Sequence, residues 1–216
     1  GVYIVVAVTN PEAGAKGLSA FIVDAKTAGL KVNRQIGKMG LRGCQWAEIA
    51  FDNVKVPAVN LLGKEGAGAA MLSEIQATTA IAEGAIIVGI AQAAMEDAAK
   101  YAKQRIQFGR PIASFPAIQK MLADMATHIH LTRLAVYHAA DLFDKGEPFA
   151  VEAAMIRLFA ARIGESALID VIQVEGGYGY SEDMVVSRLF RDVKGVILKN
   201  SSADFPEKTI AAEVLA

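Results

Sequence analysis

The chain holds a single cysteine, Cys44, among 216 residues. It can therefore close no disulfide within itself and build neither a thiolate metal centre nor a CxxC redox pair. That poverty fits a reducing compartment and predicts a cytoplasmic or organelle-matrix location. A basic excess is missing too: 22 Lys and Arg stand against 23 Asp and Glu, which sets aside a chain that wraps nucleic acid. The longest apolar runs, residues 2–8 and 84–91, fall short of the roughly 20 residues needed to cross a bilayer, so no membrane span is expected. Three histidines do not make a metal site. His128 and His130 differ by two and fall on different faces of a helix, and His138 has no HxxxH partner. No GxxxxGK phosphate loop ending in Ser or Thr occurs. The sequence opens on GVYIVVAVTN without a leading Met or a charged n-region. A strand that begins at full strength predicts a fragment whose upstream residues supply neighbouring strands.

What is present falls into two regimes. Residues 1–60 carry short Val, Ile and Phe-rich runs at 2–9, 18–24, 30–35 and 45–56, punctuated by Asn10-Pro11, Ala28-Gly29 and Lys38-Met39-Gly40. From about Glu65 the chain turns to Ala, Met, Leu, Gln and Glu, and predicts helices over 66–104, 116–145, 148–174 and 183–200. Gly109-Arg110-Pro111, Lys145-Gly146 and Gly176-Gly177-Tyr178-Gly179 mark their ends, with Pro148 in a first turn. At 1.5 Å per residue, such helices reach about 40–60 Å, lengths that suit a bundle. Ile118, Met121, Leu122, Met125, Ile129, Thr132 and Val136 recur every three or four residues as its core stripe. The fold class is thus α+β: a β-rich N-terminal segment followed by an up-and-down four-helix bundle. Apolar residues crowd all sides of 84–95, which predicts enclosure by a further subunit.

Two motifs stand out. Arg105, Gln107 and Phe108 sit where the first long helix meets a Gly-Pro turn. Arg105 offers a five-donor fork matched to a diphosphate, Gln107 offers amide hydrogen bonds, and Phe108 offers a ring face. A charged helix end with Phe108 anchored in the core explains the same residues. Gln173 with Gly176, Gly177 and Gly179 forms a loop whose missing side chains let backbone N–H groups approach an anionic ligand. A plain helix terminator is the alternative.

Several segments together resemble the acyl-CoA dehydrogenase family, flavoenzymes that oxidise the Cα–Cβ bond of acyl-CoA thioesters. They are FDNVKVPAVNLLGKEGAG (51–68), VGIAQAAMEDAAKYAKQRIQFGRPIASFPAIQKMLADMAT (88–127), EAAMIRLFAA (152–161) and IQVEGGYGYSEDMVVSRLFRDVK (172–194). Upstream, GLSAFIVD (17–24) and GKMGLRG (37–43) look like the end of that family's middle β domain. The resemblance implies that residues 1–60 close the middle β domain and 61–216 form the bundle that binds FAD and acyl-CoA. It implies FAD contacts through Arg105, Gln107, Phe108, Gln173, Gly176 and Gly177, with one subunit serving its neighbour. It further implies a dimer or tetramer, homomeric or heteromeric, and an electron-transfer flavoprotein as electron acceptor. Arg42, in GLRG, occupies a family loop close to substrate and flavin. Trp46 nearby reads either as a pocket wall or as packing.

The resemblance breaks where the chemistry is most demanding. After RDVK (191–194) the family carries its catalytic Glu in a Tyr-Glu-Gly-Thr segment, and in continuous register that position is Asn200. An amide orients a thioester but cannot take its α-proton. The alternative base position on the first long helix is Thr79, followed by Ala80 where an Arg is usual. Glu83, one turn on and on the same face, is the substitute base candidate. An ordinary helix carboxylate is the other reading of it. Ser202 and Asp204 stand where the family has a flavin-side Thr and Glu. Three functions remain open: an FAD-dependent acyl-CoA oxidoreductase, a non-catalytic subunit of a heteromeric relative, and a cofactor-free structural or interaction bundle.

Overall fold

The computed structural model describes residues 1–199 and 205–216, which divide into two compact units. One comprises Gly1–Lys38 with Arg42–Gln76, the other Met39–Leu41 with Ala77–Ala216.

In the first unit, β1 (Val2–Val8) pairs antiparallel with β2 (Leu18–Asp24), from Val2 opposite Asp24 to Val8 opposite Leu18. β2 pairs in turn with the short β5 (Leu61–Leu62). Asn10 closes the β1–β2 turn by accepting the Glu12 N–H on its side-chain oxygen at 3.1 Å, the local bond that makes Asn-Pro a turn signal. Buried Ser19 is fully satisfied: its Oγ lies 2.8 Å from Thr9 Oγ1 and accepts the Gly66 N–H at 2.9 Å. β3 (Leu30–Gln35) and β4 (Ala47–Phe51) form a separate antiparallel pair with a bulge between Val32 and Arg34. The strand expected over 45–56 is therefore shorter. Asn53 takes a positive φ of 49° just past β4, and asparagine tolerates that turn geometry where bulkier residues do not. On β1, Val2, Ile4 and Val8 share one exposed face.

The first turns of α1 (Gly68–Gln104) belong to this unit. At Gly68 a Cβ would lie 2.8 Å from the Leu18 carbonyl carbon. The missing side chain lets the helix start against β2.

The second unit is helical. α1 continues through it and is followed by α2 (Pro116–Lys145), α3 (Ala150–Glu175), α4 (Val185–Lys199) and α5 (Phe205–Val214). Pro116 takes the first position of α2, where its missing N–H costs nothing. Gly146 ends that helix in the left-handed conformation, and the Glu147 N–H reaches back to the Leu142 carbonyl at 2.9 Å. Pro148 lies just ahead of α3 rather than inside its first turn.

Met125, Ile129, Thr132, Val136 and Ala139 form the buried stripe of α2. Val186, Leu189, Val193 and Val196 form that of α4. The buried face of α1 is built from small residues, Ala80, Gly84, Ala91, Ala94, Ala98 and Ala102, around Ile87 and Val88. A Cβ on Gly84 would come 2.4 Å from Ile156 Cγ2, and one on Gly164 of α3 would come 2.6 Å from Ile87 Cγ2. These two glycines let α1 and α3 pack almost backbone to side chain. Among the described residues, α1 is long and apolar enough to cross a membrane by length and composition. In this structure Ile87, Val88, Ala91, Ala94, Ala98 and Ala102 line the bundle core, while Leu72, Ile75 and Ile86 of the same helix are exposed.

Candidate functional site

In an up-and-down bundle the first and third helices run the same way, so α1 and α3 end together. Arg105 and Gln107 follow the end of α1, and Gly176 and Gly177 follow the end of α3. All four line one cleft of about 620 Å³, with Tyr101, Ile112, Val174, Glu175, Tyr178, Ser181 and Asp183. A single chain thus brings both motifs together, and no second copy is needed to join them.

The backbone between the motifs is specialised. Ile106–Gln107 and Arg110–Pro111 form a two-stranded hairpin, β6 and β7. Its central residues Phe108 and Gly109 have φ of 51° and 75°, the paired positive values of a type I′ turn. A phenylalanine pays a steric penalty in that conformation. It is 91% exposed, with its ring edge-on to Phe115 at 6.2 Å. Phe108 is therefore not a core anchor, and it sits at the hairpin tip outside the cleft lining. Strain held at an exposed aromatic is a pattern of ligand-contact positions.

Gly176 has φ 62° and ψ −137° while its N–H still caps the Ile172 carbonyl, a conformation open almost only to glycine. A Cβ on Gly176 or Gly177 would meet nothing within 4 Å, so that side of the turn is open. Gly179 is different. It is buried, and a Cβ would lie 2.8 Å from the Ile172 oxygen and 2.9 Å from Glu175 Cβ. Gln173 is exposed and does not line the cleft. The rings of Tyr101 and Tyr178 stand 6.4 Å apart across the helix ends.

Glu175 is the residue that sequence reading missed. It is 2% exposed, and neither carboxyl oxygen has a hydrogen-bond partner among the described residues. Burial first, and the Asp97 carboxylate second, push its carboxyl up to about 7. The available signal was positional: Leu168, Val171 and Glu175 continue one apolar stripe at helical spacing, so a carboxylate occupies a core position.

Glu83 is also buried, on the α1 face that meets α3. It lines a separate cavity of about 200 Å³ with Ala80, Gly84, Arg157, Arg162 and Glu207. One buried guanidinium nitrogen of Arg157, Nη2, has no hydrogen-bond partner among the described residues. Arg42 is exposed and belongs to the first unit. In that unit Lys38 Nζ stands 5.3 Å from the centroid of the Trp46 ring, which gives Trp46 a packing partner. Asn200, Ser202 and Asp204 lie outside the described residues.

The donor set of the larger cleft suits the adenosine diphosphate part of a dinucleotide. It offers a guanidinium for phosphate, an open glycine turn with free backbone approach, an amide, and aromatic surface beside an apolar wall of Ile112 and Val174. Residues 65–197 match the family model for the acyl-CoA dehydrogenase C-terminal domain. The chain is 47% identical over 193 residues to an acyl-CoA dehydrogenase of Bacillus subtilis, covering 89% of this chain and 51% of that protein. It superposes on butyryl-CoA dehydrogenase of Megasphaera elsdenii with a TM-score of 0.95 and 37% identity, covering 100% of this chain and 56% of that one. It matches equally well a chain in a solved structure of the electron transferring flavoprotein of Acidaminococcus fermentans, with TM-score 0.95, 37% identity, and coverage of 99% and 56%. The chain spans about half the length of the curated relatives it matches. With the family model covering well over half of its length, the chain belongs to the acyl-CoA dehydrogenase family.

Proposed function

We propose that this chain is the bundle-bearing part of an FAD-dependent oxidoreductase that oxidises the Cα–Cβ bond of an acyl-CoA thioester. The observation that carries the reading is the convergence of Arg105, Gln107, Gly176 and Gly177 on one cleft of dinucleotide chemistry. In this reading Arg105 pairs with the diphosphate, Gln107 and the open glycine turn hydrogen-bond the adenosine side, and Phe108 supplies ring surface from the hairpin tip. Gln173, Ser202 and Asp204 are further contacts we assign to the cofactor, and Arg42 to the loop near substrate and flavin. Bound flavin supplies the hydride acceptor. The α-proton then needs a carboxylate. Asn200 at the usual position cannot take it, and we put Glu83 forward in its place. Acyl-CoA is the proposed substrate, and the chain is proposed to act in a dimer or tetramer. The likeness to the Acidaminococcus fermentans structure supports an electron-transfer flavoprotein as acceptor. A lone cysteine and relatives acting on CoA thioesters support an intracellular location.

The test is anaerobic mixing of the full-length, flavin-loaded protein with acyl-CoA thioesters, following loss of flavin absorbance near about 450 nm. Bleaching by this protein alone supports the reading, and bleaching that disappears in Glu83→Gln with flavin retained assigns the base. A second reading, a non-catalytic subunit of a heteromeric relative, is favoured by one feature: Glu83 shares its small cavity with Arg157 and Arg162, surroundings suited to a structural ion cluster. No bleaching alone, but bleaching with a co-purified homologue, would establish it.

A further inference from the structure

The cleft has an uncompensated acid in its floor. Glu175 is the last residue of α3, immediately before Gly176, and both of its carboxyl oxygens are buried without a hydrogen-bond partner among the described residues. Three influences oppose its ionisation. The first is its own burial. The second is Asp97 of α1, a like charge. The third is the C-terminal end of α3, where the helix dipole is negative. The other titratable groups on the cleft walls are Tyr101 and Arg105 from the α1 side, and Tyr178 and Asp183 from the loop after α3. Neither α2 nor α4 contributes a charged residue to the cleft lining among the described residues. Arg105 is thus the one cation described on these walls, and it is exposed.

We infer that Glu175 is a proton-linked positioning residue for the cleft, so that seating an anionic nucleotide there is coupled to holding Glu175 in its neutral form. This rests on the dinucleotide reading proposed above. A diphosphate in the cleft adds negative charge beside Glu175, excludes water above the turn, and engages the Arg105 guanidinium. Each change penalises the carboxylate and leaves the carboxylic acid unaffected. Coupling is reciprocal, so ionised Glu175 weakens the ligand by the same factor that the ligand disfavours ionisation. With the free carboxyl titrating at about 7, the linkage operates in neutral and mildly alkaline solution. Glu175 acts on the ligand through its charge in the cleft floor and through the turn that follows it.

The test is calorimetric titration of the full-length protein, freed of bound flavin, with FAD and separately with ADP. It is run at about pH 6 and about pH 8 in buffers of different ionisation enthalpy. The wild type should take up a substantial fraction of a proton per ligand at the higher pH, and its affinity should fall by up to about tenfold per pH unit above 7. Glu175→Gln, which keeps the shape and removes the titration, should show no uptake from this site and a flat affinity. Asp97→Asn should move the onset of the affinity loss to lower pH while leaving Glu175 in place. Pure wild-type protein that binds with no proton uptake and a flat profile overturns the inference and leaves the cleft assignment standing. Unchanged uptake in Glu175→Gln overturns it as well, by placing the proton elsewhere. Failure of FAD and ADP to bind at about pH 6 overturns the cleft assignment itself, and the coupling falls with it.

Discussion

The backbone N–H of Leu41 donates to Oδ1 of Asp192 at 2.6 Å, joining residues 151 apart in sequence. Leu41 has a positive φ of 48°, and its side chain lies over Gly195, where a Cβ would come 2.8 Å from Leu41 Cδ1. Gly40 approaches the same stretch of α4, against the Arg191 carbonyl. Gly40 and Leu41 are thus pinned to α4 by one charge-assisted bond and two close approaches. Asp192→Ala leaves a partly buried N–H without its acceptor and should cost about 1–3 kcal/mol in urea unfolding. Asp192→Asn, which keeps an oxygen in place, should recover part of the loss.

Gly84→Ala sets two effects against each other. Alanine favours the helix by about 1 kcal/mol, but its Cβ would meet Ile156 Cγ2 at 2.4 Å and Val136 Cγ2 at 3.0 Å. Overpacking of this kind costs about 1–3 kcal/mol and wins, so the midpoint of thermal unfolding should fall. Ile156→Leu removes the Cγ2 methyl at that contact. The double variant should be more stable than Gly84→Ala alone.

Phe108 separates stability from binding. Asparagine accepts positive φ readily, so Phe108→Asn should relax the hairpin and raise stability by about 0.5–1 kcal/mol. On the proposed function the same change removes ring surface from the cofactor, and FAD affinity should drop several-fold. Arg105→Ala should weaken FAD binding by about tenfold or more with little change in thermal midpoint, because the side chain is exposed.

Glu175 makes fold stability depend on pH even without ligand. Its usual value is 4.5, and in the fold it rises to about 7, so the folded state holds the proton more tightly than the unfolded chain. Stability from this group is complete below about 4.5, declines as pH rises to about 7, and stays at its reduced level above that. Chemical unfolding of the wild type across this range should show a loss of about 3 kcal/mol, and Glu175→Gln should not.

Much of this architecture was legible in the sequence because its signals are local and repeated. The α2 stripe and its Pro116 and Gly146 boundaries delimit that helix as observed, and the Val and Phe-rich runs at 18–24 and 30–35 coincide with β2 and β3. The β6–β7 hairpin was not legible, since two-residue strands around Phe108-Gly109 carry no periodicity and phenylalanine is not the residue such a turn asks for. Glu175 escaped for a different reason. A lone acid in a last helical turn looks solvated until the neighbouring helix, with Asp97 and Tyr101, is placed against it. The meeting of the two motifs in one chain depends on the shared direction of α1 and α3, a property of topology that residue spacing does not encode.

The bare contact at Gly84 has a mechanical meaning for the distant cleft. Arg105 lies 21 residues beyond Gly84, about 30 Å along the helix axis, so a small tilt at the glycine seam sweeps the guanidinium through a much larger arc. The width of the proposed nucleotide cleft is therefore tied to helix packing about 30 Å away, at the Gly84 contact.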